Sequence, residues 1–170
     1  MTEQEQEERE KVVAEVRSWI GTPYHHMACV KGAGVDCGQI IKATYEATGM
    51  IEPFILEKYA HDWHFHRDEE AYLGSLTLYC DLISEGDLTL DERAEDPDFN
   101  PLPGDVIMFK IGRTYSHGCM VTEWPLVVHA NHGSDCVEEI VALGSVMARR
   151  PSRVYSVWEA RRRKQKGSKS

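Results

Sequence analysis

The stretch Gly32-Ala33-Gly34-Val35-Asp36-Cys37-Gly38-Gln39-Ile40-Ile41 decides how this chain is read, because a glycine-rich turn runs there into an apolar helix with a cysteine at its mouth. Asp36 is a good N-cap: its side chain accepts from the free amides of the first turn, and Cys37 then takes the first helical position. Ile40, Ile41, Thr44, Tyr45 and Thr48 continue at helical spacing until Gly49, a plausible C′ stop. A thiol at a helix N-terminus feels the positive end of the macrodipole, which favours thiolate, and the nearby backbone N–H groups are placed to hold an oxyanion. The Asp36 carboxylate opposes this by favouring the neutral thiol, so a base must supply the rest of the activation. Cys37 is therefore a candidate nucleophile. A lone cysteine at a helix start is more often a small buried hydrophobe, and partners elsewhere in the chain decide between the two readings.

With 170 residues, 42% of them hydrophobic and 28% charged, the chain is long enough for one domain with a proper core and too short for two. Its formal charge is −9, yet residues 161–170 hold six Lys or Arg and no acid, leaving 13 basic against 28 acidic residues in 1–160. An acidic body of about −15 argues against a nucleic-acid groove, which needs clustered positive charge. The expected layout is one domain over 1–160 followed by a basic, solvated tail over 161–170. Five cysteines at 29, 37, 80, 119 and 136 form no CxxC pair, which fits a reducing compartment. The N-terminal Met-Thr-Glu-Gln-Glu-Gln-Glu-Glu-Arg-Glu is the reverse of a basic, apolar signal sequence, and no apolar run approaches a membrane span. Synthesis in the cytosol follows, with some other device delivering the protein if it acts outside a membrane.

Along the chain, residues 3–20 read as a helix with Val12, Val13, Val16, Trp19 and Ile20 on one stripe. Gly21-Thr22-Pro23-Tyr24 ends it, and the His- and Gly-rich loop 25–35 leads to the Cys37 helix as its floor or rim. His61-Asp62-Trp63-His64-Phe65-His66 invites a metal reading. Alternation puts His61 on the opposite face from His64 and His66, and no ligand lies at a recognised zinc spacing, so a packed or substrate-facing aromatic loop is preferred and no metal or cofactor is expected. Residues 68–85 read as a helix with Tyr72, Leu73, Leu76, Tyr79, Cys80 and Ile83 inward and Gly86 as its stop, and 86–103 as an acidic surface loop. After Pro103-Gly104-Asp105 the period changes to strands: Val106–Ile111, His117–Glu123, Leu126–Asn131, Cys136–Val141 and Arg153–Trp158. Helices first and sheet second imply an α+β domain, with the Cys37 helix packed on a small antiparallel sheet.

A cysteine that attacks a carbonyl needs an imidazole in reach, and that imidazole needs an orienting group on its other nitrogen. His117 and His129 lie on consecutive strands across the Trp124-Pro125 turn. If positions summing to about 249 face one another, His117 lies opposite residue 132 and the two histidines are three residues off register, which a twist or bulge must close. His132 competes for either role, but it sits in the turn before Gly133, where a solvated histidine is the default.

Taken in order, Gly21-Thr22-Pro23-Tyr24, Asp36-Cys37-Gly38, Pro103-Gly104-Asp105-Val106, Ser116-His117-Gly118 and Val127-Val128-His129-Ala130 resemble the NlpC/P60 superfamily of papain-like cysteine peptidases, especially its phage-tail branch. The resemblance implies a papain-like α+β fold, with Cys37 as nucleophile, His117 as base, His129 as the orienting residue and Tyr24 as a hydroxyl near the thiol and oxyanion site. It implies further that Asp36 and Ser116 bind the amino end of a peptidoglycan stem peptide. Asp62-Trp63-His64-Phe65-His66-Arg67 also resembles a feature of the phage-tail branch. The chain departs from the family after its cysteine, where Gly38-Gln39-Ile40 stands in place of a glycine-leucine pair. Gln39 is expected to point toward the same mouth and to bear on substrate preference.

The implied activity is hydrolysis of an amide in peptidoglycan stem peptides by a phage tail-associated enzyme, carried in the virion with other tail proteins as its partners. Two other functions fit the same pattern: a tail-assembly or tail-tip structural component that keeps the fold, and an amidase or acyltransferase acting on another amide. The intact Cys37, His117 and His129 set favours the hydrolase over a structural descendant.

Overall fold

Thr2 caps the first helix by accepting from the Glu5 amide, and the chain then runs helically from Glu3 to Arg17 (α1), ending three residues before the expected Ile20. Val12 and Val16 are buried from this helix, whereas Ile20 is exposed beyond its end. The computed structural model describes residues 1–55, 71–84 and 86–167. Cys29–Val30 (β1) and Gly34–Val35 (β2) form a two-stranded hairpin that feeds directly into Cys37–Ala47 (α2). Ile40, Ile41 and Tyr45 of α2 are buried against the sheet, each apolar side chain contributing roughly 1.5–3 kcal/mol.

Residues 68–85 were expected as one helix, and the structure corrects this. Among the described residues helix spans Ala71–Leu76 (α3), a turn follows, and Asp81–Ser84 is a strand (β3). Leu76, Tyr79 and Cys80 are buried as the helical stripe requires, but Leu82 and Ile83 are 44% and 42% exposed. The reason is tertiary: β3 hydrogen-bonds the edge of the C-terminal strand Ser152–Ser156 (β8), and that pairing outweighs local helical preference. The acidic segment 86–103 is likewise anchored. Thr89 and Glu92 form a capping box on the short helix Leu90–Arg93 (α4), Leu90 is buried, and the buried Arg93 donates to the Ser152 and Gly86 carbonyls.

Val106–Ile111 (β4), Thr114–Glu123 (β5), Leu126–Asn131 (β6) and Cys136–Val141 (β7) complete an antiparallel sheet of order β3-β8-β4-β5-β6-β7. One face packs on α1 and α2 through Val106, Met108, Met120 and Val128; the other packs beneath Leu90, Ala142 and Ala148 through Ile107, Phe109, Val121 and Val127. The last strand gives way at Val157 to a helix that runs to Gly167 (α5). Residues 161–167, expected as solvated tail, thus continue a helix whose arginines meet acids of the body: Arg161 on Glu8, Arg162 on Glu5 and Arg163 on Asp81.

Pro103-Gly104-Asp105 is the joint of this architecture. Gly104 has φ +86, and a Cβ there would meet Trp158 Cη2 at 2.6 Å, so a side chain is excluded by both backbone and packing. Its carbonyl accepts from the Tyr45 hydroxyl at 2.6 Å, tying α2 to the start of β4. The buried Asp105 meets Arg9 of α1 at 3.1 Å, and the Arg9 guanidinium lies 3.8 Å from the centroid of the Trp158 ring. Among the described residues no helix is long and apolar enough to cross a membrane.

Candidate functional site

Hydrogen bonds at the entrance to α2 explain how Cys37 and Tyr24 come together. Asp36 Oδ1 caps α2 by accepting from the Gln39 amide at 2.9 Å, while Oδ2 accepts from the Met27 amide at 2.7 Å and lies 3.6 Å from His26 Nδ1. One carboxylate thus starts the helix and folds the preceding loop over it. Gly21 and Tyr24 donate their amides to the Val137 and Asp135 carbonyls, and Val35 donates to the Pro23 carbonyl, so the Gly21–Tyr24 segment is fixed between β7 and the strand leading to Cys37. Gly21 has φ +84, a conformation that only glycine takes readily.

On the sheet, two irregularities set the histidines. The β4–β5 register slips between Phe109, opposite His117, and Lys110, opposite Tyr115, leaving Ser116 as the extra residue of a bulge. The second slip lies between Val121 and Glu123, where β5 and β6 shift from Glu123↔Leu126 to Val121↔Val127 and Met120↔Val128. That slip changes the facing sum from 249 to 248. Continuing it places His117 opposite residue 131, so His129 is two positions away on the same face rather than three away on the other. The expected mismatch is therefore closed by a bulge, and His117 Nε2 lies 2.9 Å from His129 Nδ1 with the rings nearly perpendicular.

These elements enclose a cavity of about 620 Å³, a size that suits a small-molecule or peptide ligand. Tyr24, Asp36, Cys37, Ser116, His117 and His129, all named from sequence, line it. Gln39 does not: it is buried and absent from the lining, because the first turn of α2 carries it away from the mouth. His132, set aside as a solvated turn residue, is exposed yet lines the cavity, with its ring centroid 5.2 Å from that of Tyr24. The His61–His66 stretch lies outside the described residues. Among the described residues no three His, Cys, Asp or Glu are grouped to hold a metal ion.

Burial dominates the electrostatics. It pushes the Cys37 thiol up to about 12, with the Asp36 charge adding to it and the amides of Gly118, Cys37 and Gly38 opposing. The preference for thiolate expected from the helix end is therefore outweighed, and the thiol donates to the Ser116 carbonyl at 3.8 Å. Burial pulls His117 down to about 3, aided by His129 and Arg150, and lowers His129 against the pull of Glu138. The Tyr24 hydroxyl is raised by burial and by the nearby Cys37 and Asp36 charges. A neutral thiol, a neutral imidazole and backbone donors thus share one cavity, which is the equipment nucleophilic acyl transfer requires.

Among the residues in or beside the site that went unmarked from sequence are Arg150 and Glu138. Arg150 lines the cavity between the short 3₁₀ turn Met147–Arg149 and β8, a position no motif marked. Glu138 was legible in principle: a four-residue turn at 132–135 pairs Asn131 with Cys136 and therefore His129 with Glu138, as observed.

No sequence profile of a protein family matches the chain, and no curated protein does. Its fold does have counterparts. NlpC1 from Trichomonas vaginalis matches over 86% of this chain and 42% of its own, with 18% identity and a TM-score of 0.54. The NlpC/p60 domain of the peptidoglycan hydrolase SagA matches over 87% of this chain and 97% of its own, with 17% identity and a TM-score of 0.51. The peptidoglycan hydrolase RipB from Mycobacterium tuberculosis matches over 92% and 68%, with 12% identity and a TM-score of 0.57. The chain thus spans less than half of the Trichomonas protein but nearly all of the SagA domain. Helices packed on an antiparallel sheet, with Cys37 opening the helix that faces it, make this the NlpC/P60 fold.

Proposed function

We propose that the protein is a thiol hydrolase that cleaves an amide bond in peptidoglycan stem peptides, delivered as part of a phage tail. The observation that carries the reading is the joining, in one cavity, of Cys37 at a helix N-terminus with the hydrogen-bonded His117–His129 pair from two other strands. SagA and RipB, which share the fold, are peptidoglycan hydrolases, and the substrate class is drawn from them.

Because both groups rest neutral, the reaction begins with general-base catalysis rather than a standing ion pair. As Cys37 Sγ bonds to the amide carbon, its proton passes to His117 and the carbonyl π electrons move to oxygen. The α2 entrance amides and the Tyr24 hydroxyl stabilise that oxyanion. His117 then protonates the departing amine, leaving a thioester on Cys37. Water, deprotonated by His117, hydrolyses the thioester and restores the thiol. His129 holds the His117 ring. Asp36 and Ser116 receive the amino end of the peptide. Among the described residues Arg150 is the one Lys or Arg in the lining, and its guanidinium has no hydrogen bond or ion pair; in this reading it receives a substrate carboxylate.

Incubating the purified protein with muropeptides and weighing the products tests this. Two fragments whose masses sum to substrate plus water, absent with Cys37→Ala, are expected; unchanged muropeptides, or equal cleavage by Cys37→Ala, overturn it.

A further inference from the structure

We propose that Glu138 is a positioning residue that sets the tautomers of both histidines, so that His117 presents a bare Nδ1 to the Cys37 proton. The inference deepens the thiol-hydrolase reading and rests on it. Neighbouring strands place His129 and Glu138 directly opposite one another, and His129 is 2% exposed. Its Nε2 is buried without a hydrogen bond among the described residues, and Glu138 Oε1 stands 3.4 Å away, off the line of one. The carboxylate is held there: Oε1 accepts from Asn131 Nδ2 and from Ser134 Oγ, each at 2.7 Å. Both donors favour the ionised form.

A neutral imidazole has one N–H and one lone pair. Turned toward a fixed carboxylate oxygen, a lone pair is repelled and an N–H is attracted, even where the angle is too poor for a good hydrogen bond. His129 therefore carries its proton on Nε2 and leaves Nδ1 as an acceptor. The partner at 2.9 Å is His117 Nε2, which must then be the donor. A neutral His117 with its proton on Nε2 has a bare Nδ1, the only nitrogen of the pair free to take the thiol proton. Without Glu138 the opposite chain is equally available: His129 Nδ1–H donates to His117 Nε2, His117 holds its proton on Nδ1, and the base is blocked. When His117 becomes an imidazolium, the carboxylate beyond His129 also favours the charge. No proton needs to reach Glu138, and it is absent from the cavity lining.

The test compares wild type with Glu138→Leu and Glu138→Gln, using long-range ¹H–¹⁵N spectra of the ring nitrogens and muropeptide kinetics. Wild type is expected to show Nε2 protonated and Nδ1 bare on both rings. Glu138→Leu should show mixed or reversed tautomers and a fall in kcat of about 10²- to 10⁴-fold at unchanged KM, the scale seen when an orienting partner or correct tautomer is lost. In Glu138→Gln the amide oxygen still accepts from Asn131 and Ser134 and faces Nε2, so wild-type tautomers and most of the activity should return. If Glu138→Leu does not fold, Asn131→Ala with Ser134→Ala frees the carboxylate and should mix the tautomers in a folded protein. Wild-type tautomers in either variant overturn the proposal. A wild-type protein that hydrolyses no amide refutes the hydrolase reading instead, because the spectra are read without turnover.

Discussion

Replacing Arg9 by methionine keeps most of the side-chain volume and removes one charge from a buried network, so its cost is calculable. Arg9 is 3% exposed; it pairs with Glu5 at 2.9 Å and Asp105 at 3.1 Å, and donates to the Pro103 carbonyl at 2.7 Å. Glu5 keeps Arg162 as a partner, but the Asp105 side chain, 2% exposed, loses its cation. Removing one partner of a buried pair costs about 3–5 kcal/mol. At roughly 2–4 °C per kcal/mol for a domain of this size, the midpoint should fall by about 6–20 °C. The pH dependence follows from Asp105. Burial already raises its pKa above the ordinary value while Arg9 lowers it, so removing Arg9 raises it further. A carboxyl raised in the folded state contributes stability that is present at low pH and lost as pH rises through the folded value. The variant's penalty should therefore be full near pH 8 and partly relieved near pH 5. Urea denaturation at both pH values measures it; a loss under about 1 kcal/mol, or an equal loss at both, refutes the argument.

The activity should be nearly flat, within about twofold, as pH falls from about 8 to about 5: His117 must be neutral to accept the proton, and its pKa is held down to about 3, far below the usual ~6.5 of imidazole. A profile of kcat/KM that halves near pH 6.5 would contradict this. His117→Ala should remove turnover by at least about 10³-fold, whereas His129→Asn, which keeps a polar partner, should retain measurable activity in the same muropeptide assay. Arg150→Gln should raise KM about 10- to 100-fold for a substrate with a free carboxylate and leave its amidated analogue unchanged, the loss expected for a hydrogen bond to a charged group.

Legibility in the sequence followed the range of the forces involved. The Asp36 cap, the α2 stripe and the strands over 106–141 were readable because each is a local pattern with one dominant period. The strand at Asp81–Ser84 was not, since its identity depends on pairing with β8 some seventy residues later. The helix through 157–167 was hidden for a similar reason: Arg161, Arg162 and Arg163 look like solvated charge until Glu8, Glu5 and Asp81 are seen beside them. Within the site, the pairing of His117 with His129 was readable but their register was off by one, because a hairpin count assumes no bulge and β5 has one at each end. The expectation for Gln39 failed because burial of one side of a helix turn is a tertiary fact.

Covalent capture of the intermediate tests the central claim most directly. Wild-type protein mixed with muropeptides, quenched in acid within the first turnover and mapped by peptide mass, should carry the acyl fragment on Cys37 and on no other cysteine, and the adduct should be absent from Cys37→Ala. Turnover without any adduct on Cys37, together with undiminished activity in Cys37→Ala, would contradict the assignment of Cys37 as the nucleophile.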